Sequence, residues 1–318
     1  MKPVNWGILS TGWIAHEFCK ALKTVPEAAV VAVASRNMQS AEAFAAQHGI
    51  PACYDTYEAL MKDPRVDIVY IGSPNGLHRA HVLACLNAGK HVLCEKPAGI
   101  NAQEAKAMVQ AARDNGKFFM EAMWTRFFPA MQQAKAWCDE GKIGALRLIR
   151  AECSAMETDK NKWLWDPTMH GGCLNDVGIY PVSLVSWFFG KQPSSISSTV
   201  LKSERGVDVF STIGFAYGDA MASLSCALPL TTDGSAYICG EYGYIHIPGF
   251  SCAKEAILYE HGKEPVRFCD DYPGNGYQYE AQAVTAYIQN GYTDAPLMPM
   301  AESIAISETM DAIRAGWK

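Results

Sequence analysis

The chain has no apolar run near the roughly 20 residues that a membrane helix needs. It has no repeats and no low-complexity segment. The opening Met1-Lys2-Pro3-Val4-Asn5-Trp6-Gly7 lacks the apolar stretch of a secretory signal, so neither export nor membrane insertion is expected. Basic excess is missing too. The 27 Lys and Arg face 33 Asp and Glu, a net charge of −6, which argues against a general nucleic-acid binder. The 11 cysteines contain no C-x-x-C pair and their number is odd. A zinc site or a disulfide framework is therefore disfavoured, and buried or free thiols in a reducing cytoplasm are expected. What the chain does have is apolar residues, 49% of 318, against 19% charged, enough for two domains with packed cores.

Strand and helix patterns alternate over residues 1–122. Val4-Asn5-Trp6-Gly7-Ile8-Leu9 reads as a strand that enters Ser10-Thr11-Gly12-Trp13-Ile14-Ala15 and then a helix to about Lys23. The complete G-x-G-x-x-G fingerprint is absent; Ser10, Gly12 and Ala15 occupy its three places. At Gly12 the backbone would approach a pyrophosphate, and the helix N-terminus would offer it free N–H groups. Further strands are expected at 29–34, 66–71, 91–95 and 118–122, with helices at 41–48, 55–61, 77–87 and 101–115. Such alternation specifies an α/β, doubly wound parallel sheet of Rossmann type. The second strand runs into Ser35-Arg36-Asn37, without the acid that would bond a ribose 2′-OH. Ser35 and Arg36 suit a 2′-phosphate, which favours NADP and leaves NAD possible; the plainer alternative is a solvated arginine at a helix start.

The apolar run in His91-Val92-Leu93-Cys94-Glu95-Lys96-Pro97 must stop before Pro97, which has no N–H to donate to a ladder. Glu95 and Lys96 then lie at the carboxyl end of a parallel strand, where open α/β sheets bind ligands. Lys96 is a candidate for chemistry, or half of a surface ion pair, and a cis peptide before Pro97 is worth checking. Three strand ends, 10–12, 72–75 and 95–97, are expected to face one crevice. His78 and His81 are three apart on one helix but have no third or fourth ligand nearby, so they read as ordinary helix histidines and no metal is expected.

From residue 123 the pattern changes. After a helix near 130–139, strands dominate, at 145–154, 195–201, 208–215, 220–227, 235–239, 243–247, 255–259 and 265–268, and helices at 277–289 and 300–314 close the chain. This predicts an α+β domain, 123–318, on a mostly antiparallel sheet, with an open face suited to a homodimer. Within it, glycines 171 and 172 precede a helix on which Asp176 and Tyr180 are four apart, on one face. They form either a proton-transfer pair or a buried tyrosine whose hydroxyl is merely satisfied.

Taken together, Ser10-x-Gly12-x-x-Ala15, Ser73-Pro74-Asn75 with His78, Glu95-Lys96-Pro97, and Gly171-Gly172 through Asp176 to Tyr180 resemble the glucose–fructose oxidoreductase/inositol dehydrogenase/MocA family. The resemblance covers essentially the whole chain. Met120 to Ala130 and Tyr279-Glu280-Ala281 resemble a branch of it that oxidises diols and aldoses with NADP. The resemblance implies that Ser10, Gly12, Trp13 and Ile14 hold the pyrophosphate and that Ser35 and Arg36 hold the 2′-phosphate. It implies that Ser73, Pro74, Asn75 and His78 border the nicotinamide, that Glu95 bonds its ribose, and that Lys96 sits beside the reacting carbon. Tyr180 is then the acid–base residue, Asp176 contacts substrate, and Trp124, Arg126 and Phe127 wall the pocket. Asn175 and the 158–167 loop depart from the branch, which leaves the substrate open among carbohydrates, diols and small carbonyl compounds. Two other functions remain: glycoside cleavage with a retained NAD on the same fold, and a non-catalytic redox sensor.

Overall fold

The structure, a computed structural model, describes residues 2–317. The first strand-helix pair, β1 (Val4–Leu9) and α1 (Trp13–Leu22), is followed by β2 (Ala28–Ala34), α2 (Met38–His48), β3 (Ala52–Tyr54), α3 (Tyr57–Lys62), β4 (Ile68–Ile71), α4 (His78–Asn87), β5 (His91–Glu95), α5 (Ala102–Asp114) and β6 (Phe119–Ala122). Three of these helices start where the sequence supplies an acceptor. The side chains of Asn37, Thr56 and Asn101 take the N–H groups of Ser40, Ala59 and Glu104. Glu104 reaches back to the Ile100 N–H, one residue before the cap, so its carboxylate also ties down the entry to α5. The strands form one parallel sheet in the order β3-β2-β1-β4-β5-β6. β3 was not expected. It is three residues long and only half-buried, too short for an apolar period to show.

The second part begins with α6 (Pro129–Asp139) and β7 (Leu146–Ser154). A π-turn over Leu174–Gly178 leads into α7 (Ile179–Phe189). Pro181 removes one N–H from the ladder close to this transition, where a wider turn costs least. Then come β8 (Ser195–Lys202), β9 (Asp208–Ala216), β10 (Met221–Ala227), β11 (Ala236–Gly240), β12 (Gly243–Ile247), β13 (Glu255–Glu260) and β14 (Val266–Cys269). Their order is β14-β13-β12-β11-β7-β10-β9-β8, antiparallel except that β7 and β10 run parallel. The helices α6 and α7 pack on one face. Residues alternate between that face and the other, so that in β12 Ile245 and Ile247 are buried while Tyr244 is exposed.

Two helices end the chain, α8 (Tyr277–Gln289) and α9 (Met300–Ala315). The chain divides into one unit of residues 1–124 with 273–304 and another of 125–272 with 305–318. The sequence reading placed 273–304 in the second domain, but α8 packs on α1. Tyr277 meets Phe18 edge-on at 6.5 Å, and the Asn275 amide donates to the Glu17 carbonyl at 2.9 Å. The core of the first unit lies along the parallel sheet, with Leu9, Val69, Ile71, Val92, Cys94 and Phe119 buried. All eleven cysteines are free thiols. No helix among the described residues is long and apolar enough to cross a membrane.

Candidate functional site

β1, β4 and β5 are neighbours, so their carboxyl ends come together as expected. Ser10 takes the place of the first fingerprint glycine at φ 96°, a left-handed conformation that costs a serine some strain. Its hydroxyl donates to the Gly72 carbonyl at 2.9 Å and accepts the Gly12 N–H at 3.3 Å, tying the first and second strand ends. Gly12 is exposed and extended, and a Cβ there would meet its nearest neighbours at 3.6 and 4.0 Å. No contact inside the protein therefore demands a glycine there. The first turn of α1 has no side-chain cap and no acidic residue. These uncapped donors and the glycine fit the pyrophosphate of a dinucleotide. Trp13 flanks them, 72% exposed, with Ile14 half-buried behind.

At the end of β2 the Ser35 hydroxyl lies 3.3 Å from that of Thr11, and Arg36 is exposed beside them. Arg36 also acts electrostatically on two residues of the neighbouring helices. Burial pushes the Tyr57 phenol up while Arg36 draws it back, and burial and then Arg36 pull His81 down against Glu58. The two rings meet edge-on at 4.9 Å, and His81 Nδ1 bonds the Ser73 hydroxyl at 2.9 Å. In the sequence reading Thr11 and Tyr57 have no role, and His81 has only that of an ordinary helix histidine. The only available signal was their place just after a strand end or in a first helical turn.

The peptide between Lys96 and Pro97 is cis. The turn it makes is held by two buried carboxyl groups. The Lys96 N–H donates to Glu95 Oε2 at 3.3 Å, and the Ala98 N–H donates to Glu121 Oε1 at 2.8 Å. The other Glu95 oxygen accepts the Tyr70 hydroxyl at 2.6 Å. Tyr70 is fully buried and stacked on Phe18 at 3.9 Å, and burial and then Glu95 push its phenol well up. Glu280 of α8 lies in the same unit with no exposure and no hydrogen-bond partner for either oxygen. Burial, then Glu95 and Glu121, raise its carboxyl well above the ordinary range. Lys96 itself is half-buried, and so is Pro74, while Asn75 is buried.

Two expected positions differ in kind. His78 was expected to border the nicotinamide, but it is fully buried, with its ring between the carbonyls of Ser73 and Pro97. It joins the Ser73 strand end to the turn at Pro97 from within the core. Arg126 was expected to wall a pocket, but it is 2% exposed. Its guanidinium donates to the Ser183 hydroxyl at 3.0 Å and to the Ser183 carbonyl at 2.9 Å, so it braces α7 one turn past Tyr180. Phe127 is likewise buried. Trp124 stacks on Tyr277, with centroids 4.2 Å apart.

In the second unit, Asp176 lies half-buried in the π-turn and Tyr180 is 9% exposed at the start of α7. The glycines before them are required by close approach. A Cβ at Gly171 would collide with the Leu164 carbonyl, and one at Gly172, at φ 108°, would collide with the Asp208 carboxylate. Asp208 takes the Leu174 N–H at 2.7 Å and the Cys173 thiol at 3.3 Å. Asn175 donates to the His170 carbonyl at 3.0 Å and accepts from Arg314. Asp208 and Arg314 were invisible in the sequence, since each lies more than thirty positions from the turn it supports. Among the described residues, no group of three or more His, Cys, Asp or Glu is placed to hold a metal.

Residues 4–123 match the model of the GFO/IDH/MocA oxidoreductase family with an NAD-binding Rossmann fold, and residues 131–246 match the GFO/IDH/MocA C-terminal domain. The trans-1,2-dihydrobenzene-1,2-diol dehydrogenase of Bos taurus is 38% identical over 322 residues, which cover 98% of this chain and 96% of that one. An aldose-aldose oxidoreductase from Caulobacter crescentus, solved with glycerol, superposes with a TM-score of 0.91 at 21% identity and covers 99% and 97% of the two chains. A 3-ketoreductase from Actinomadura kijaniata, solved with NADP and TDP-benzene, superposes with a TM-score of 0.89 at 24% identity over 100% and 98%. At those identities the two structures speak for the fold.

Proposed function

The chain belongs to the GFO/IDH/MocA oxidoreductase family, and on that footing we propose that it oxidises a diol or aldose, or reduces the corresponding small carbonyl compound, with NADP(H). It is a nicotinamide-dependent dehydrogenase acting on CH–OH groups. The observation that carries the finer reading is the meeting of three strand ends around an uncapped helix N-terminus, with Lys96 on the third of them.

A bound nicotinamide would accept or supply the hydride. The protein's part is orientation and the proton. Ser10, Gly12 and the first turn of α1 hold the pyrophosphate, and Ser35, Thr11 and Arg36 supply hydroxyls and a planar cation to a 2′-phosphate. Lys96, with its turn fixed by Glu95 and Glu121, bonds the substrate oxygen and stabilises the negative charge that develops there. Tyr180 takes the carbinol proton in oxidation and returns it in reduction, and Asp176 orients the substrate. The relatives support a substrate with neighbouring hydroxyl or carbonyl groups: one is named for a diol, and one structure is of an aldose oxidoreductase.

A homodimer through the open face of the large sheet completes the reading. That face exposes Leu201, Met221 and Tyr244, and a groove of about 530 Å³ on the sheet is lined by Arg150, Glu152 and Tyr237 among others. Eleven free thiols suit a reducing cytoplasm. The test is turnover with NADP⁺ or NAD⁺ and their reduced forms against aldoses, 1,2-diols, 2-oxoaldehydes and inositols, followed by nicotinamide absorbance. Turnover of diols or aldoses with NADP(H), with release of the nucleotide, is expected. Glycoside cleavage with a retained nucleotide, or tight NADPH binding with no turnover of any carbonyl, would overturn it.

A further inference from the structure

His78 lies at the start of α4 with no exposed surface. Its Nδ1 is 2.7 Å from the Pro97 carbonyl oxygen and its Nε2 is 2.6 Å from the Ser73 carbonyl oxygen. Both partners are acceptors only, and neither can turn to offer a proton. A neutral imidazole has one N–H, so in either tautomer one carbonyl would face a bare nitrogen lone pair at a distance shorter than an ordinary N–H···O bond. Both distances fall at or below the range of bonds in which the donor is charged. The Ser73 carbonyl belongs to the strand end after β4, and the Pro97 carbonyl belongs to the turn after β5 that carries Lys96.

We propose that His78 is a positioning residue held as a buried imidazolium, which donates to both carbonyls at once and so fixes the Lys96–Pro97 turn to the Ser73 strand end. The forces on the second proton oppose one another. Burial first, then His81 and Lys96, pull the ring down, the bonds to Pro97 and Ser73 push it up, and electrostatics alone leave the balance low, at about 4. The geometry decides for the bonds. With the ring neutral, one of two carbonyls held at 2.6 and 2.7 Å would face a lone pair instead of a donor, and an unmet carbonyl in a low-dielectric interior carries its full penalty. The lysine role rests on the function proposed above; the protonation of His78 does not.

Nitrogen NMR of the full chain, labelled at the histidine rings, tests this at pH 7.5 with and without NADPH. The expected signature is one ring with both nitrogens protonated, whose N–H signals resist exchange with D₂O because the ring is fully buried, and which vanishes in His78→Gln. In that variant both N–H donors sit on one nitrogen and the other end of the amide is an acceptor, so the group cannot donate from its two ends as the charged ring does, and kcat should fall by roughly 10- to 100-fold with NADPH affinity changed much less. If the exchange-protected ring shows one protonated and one bare nitrogen, or if His78→Gln matches the wild type in kcat, the proposal is overturned. Should the variant fail to fold, the exchange-protected ring of the wild type still decides. Wild-type turnover in Lys96→Ala beside an intact imidazolium signal would instead remove the lysine's role and leave the charged histidine standing.

Discussion

Asp208 accepts the Leu174 N–H at 2.7 Å, so a carboxylate of β9 caps the π-turn that carries Asp176 and leads to Tyr180. The pair is reinforced on both sides. Asp208 also takes the Cys173 thiol, and Arg314, which acts on Asp208 electrostatically, bonds Asn175 of the same turn. Burial raises the Asp208 carboxyl while these donors lower it. Asp208→Ala leaves the Leu174 N–H without its acceptor and should cost roughly 1–3 kcal/mol of stability. Because the turn it holds carries the proposed proton-handling side chains, kcat should fall by roughly tenfold or more. NADPH affinity, which the proposed function assigns to residues of the other unit, should stay within a few-fold. Thermal unfolding, steady-state kinetics and nucleotide titration check the three parts separately.

Cofactor choice should depend on Arg36. The end of β2 offers Ser35, Thr11 and an exposed guanidinium, and no acid. A hydrogen bond to a charged group is worth roughly 1.5–3 kcal/mol. Arg36→Ala should therefore weaken NADP⁺ binding by roughly 10- to 100-fold and leave NAD⁺ binding nearly unchanged. Titration of both nucleotides into both proteins measures this. Equal losses for the two would place Arg36 away from the 2′-phosphate.

The parts legible in the sequence were those with a short-range signal. Gly12, Lys96 and Pro97 declare themselves because each sits at a strand end whose apolar run is visible. Asp176 and Tyr180 are singled out by helical spacing, although Asp176 lies in a π-turn and Tyr180 in the α-helix that follows. The two-sheet architecture followed from the change of period near residue 123. The illegible parts depend on contacts distant in the chain. Nothing local shows that Arg126 will bond Ser183, that Asp208 will cap Leu174, or that Glu280 will be buried beside Glu95 and Glu121. The packing of α8 on α1 was hidden for the same reason, since Asn275 and Glu17 are 258 positions apart. His78 shows the limit most clearly. Its place in the motif was readable, but its burial between two carbonyls was not.

Acid should destabilise the fold through His48. Its Nε2 lies 2.7 Å from His16 Nδ1, and its residue is 6% exposed. Burial, then Lys23 and His16, hold it down to about 4 from the ordinary 6.5. The unfolded chain therefore takes up a proton near 6.5 that the folded protein refuses until about 4. Stability from this residue is complete above the unfolded value and is lost as pH falls through that window, by roughly 1–3 kcal/mol. His48→Gln, which keeps a polar partner for His16 and cannot titrate, should show a shallower decline. Urea unfolding at pH 7.5, 6 and 5 gives the comparison, and parallel curves for the two proteins would exclude His48 as the cause.

The proton chemistry should be separable from cofactor binding. Lys96 stands on a turn held by Glu95 and Glu121, so removing its side chain leaves the backbone supports in place. Tyr180→Phe keeps the ring that fills its buried position and removes only the hydroxyl. Each change should lower kcat by about 100-fold or more, the scale of an acid–base group, while NADPH binds within a few-fold of the wild type. The double variant should fall little further than the worse single one, because the proposed roles put both groups on the same oxygen and its proton, and such groups are not additive. A double loss equal to the product of the single losses would mean that the two act in separate steps. Turnover at the wild-type rate in both single variants would remove the assignment.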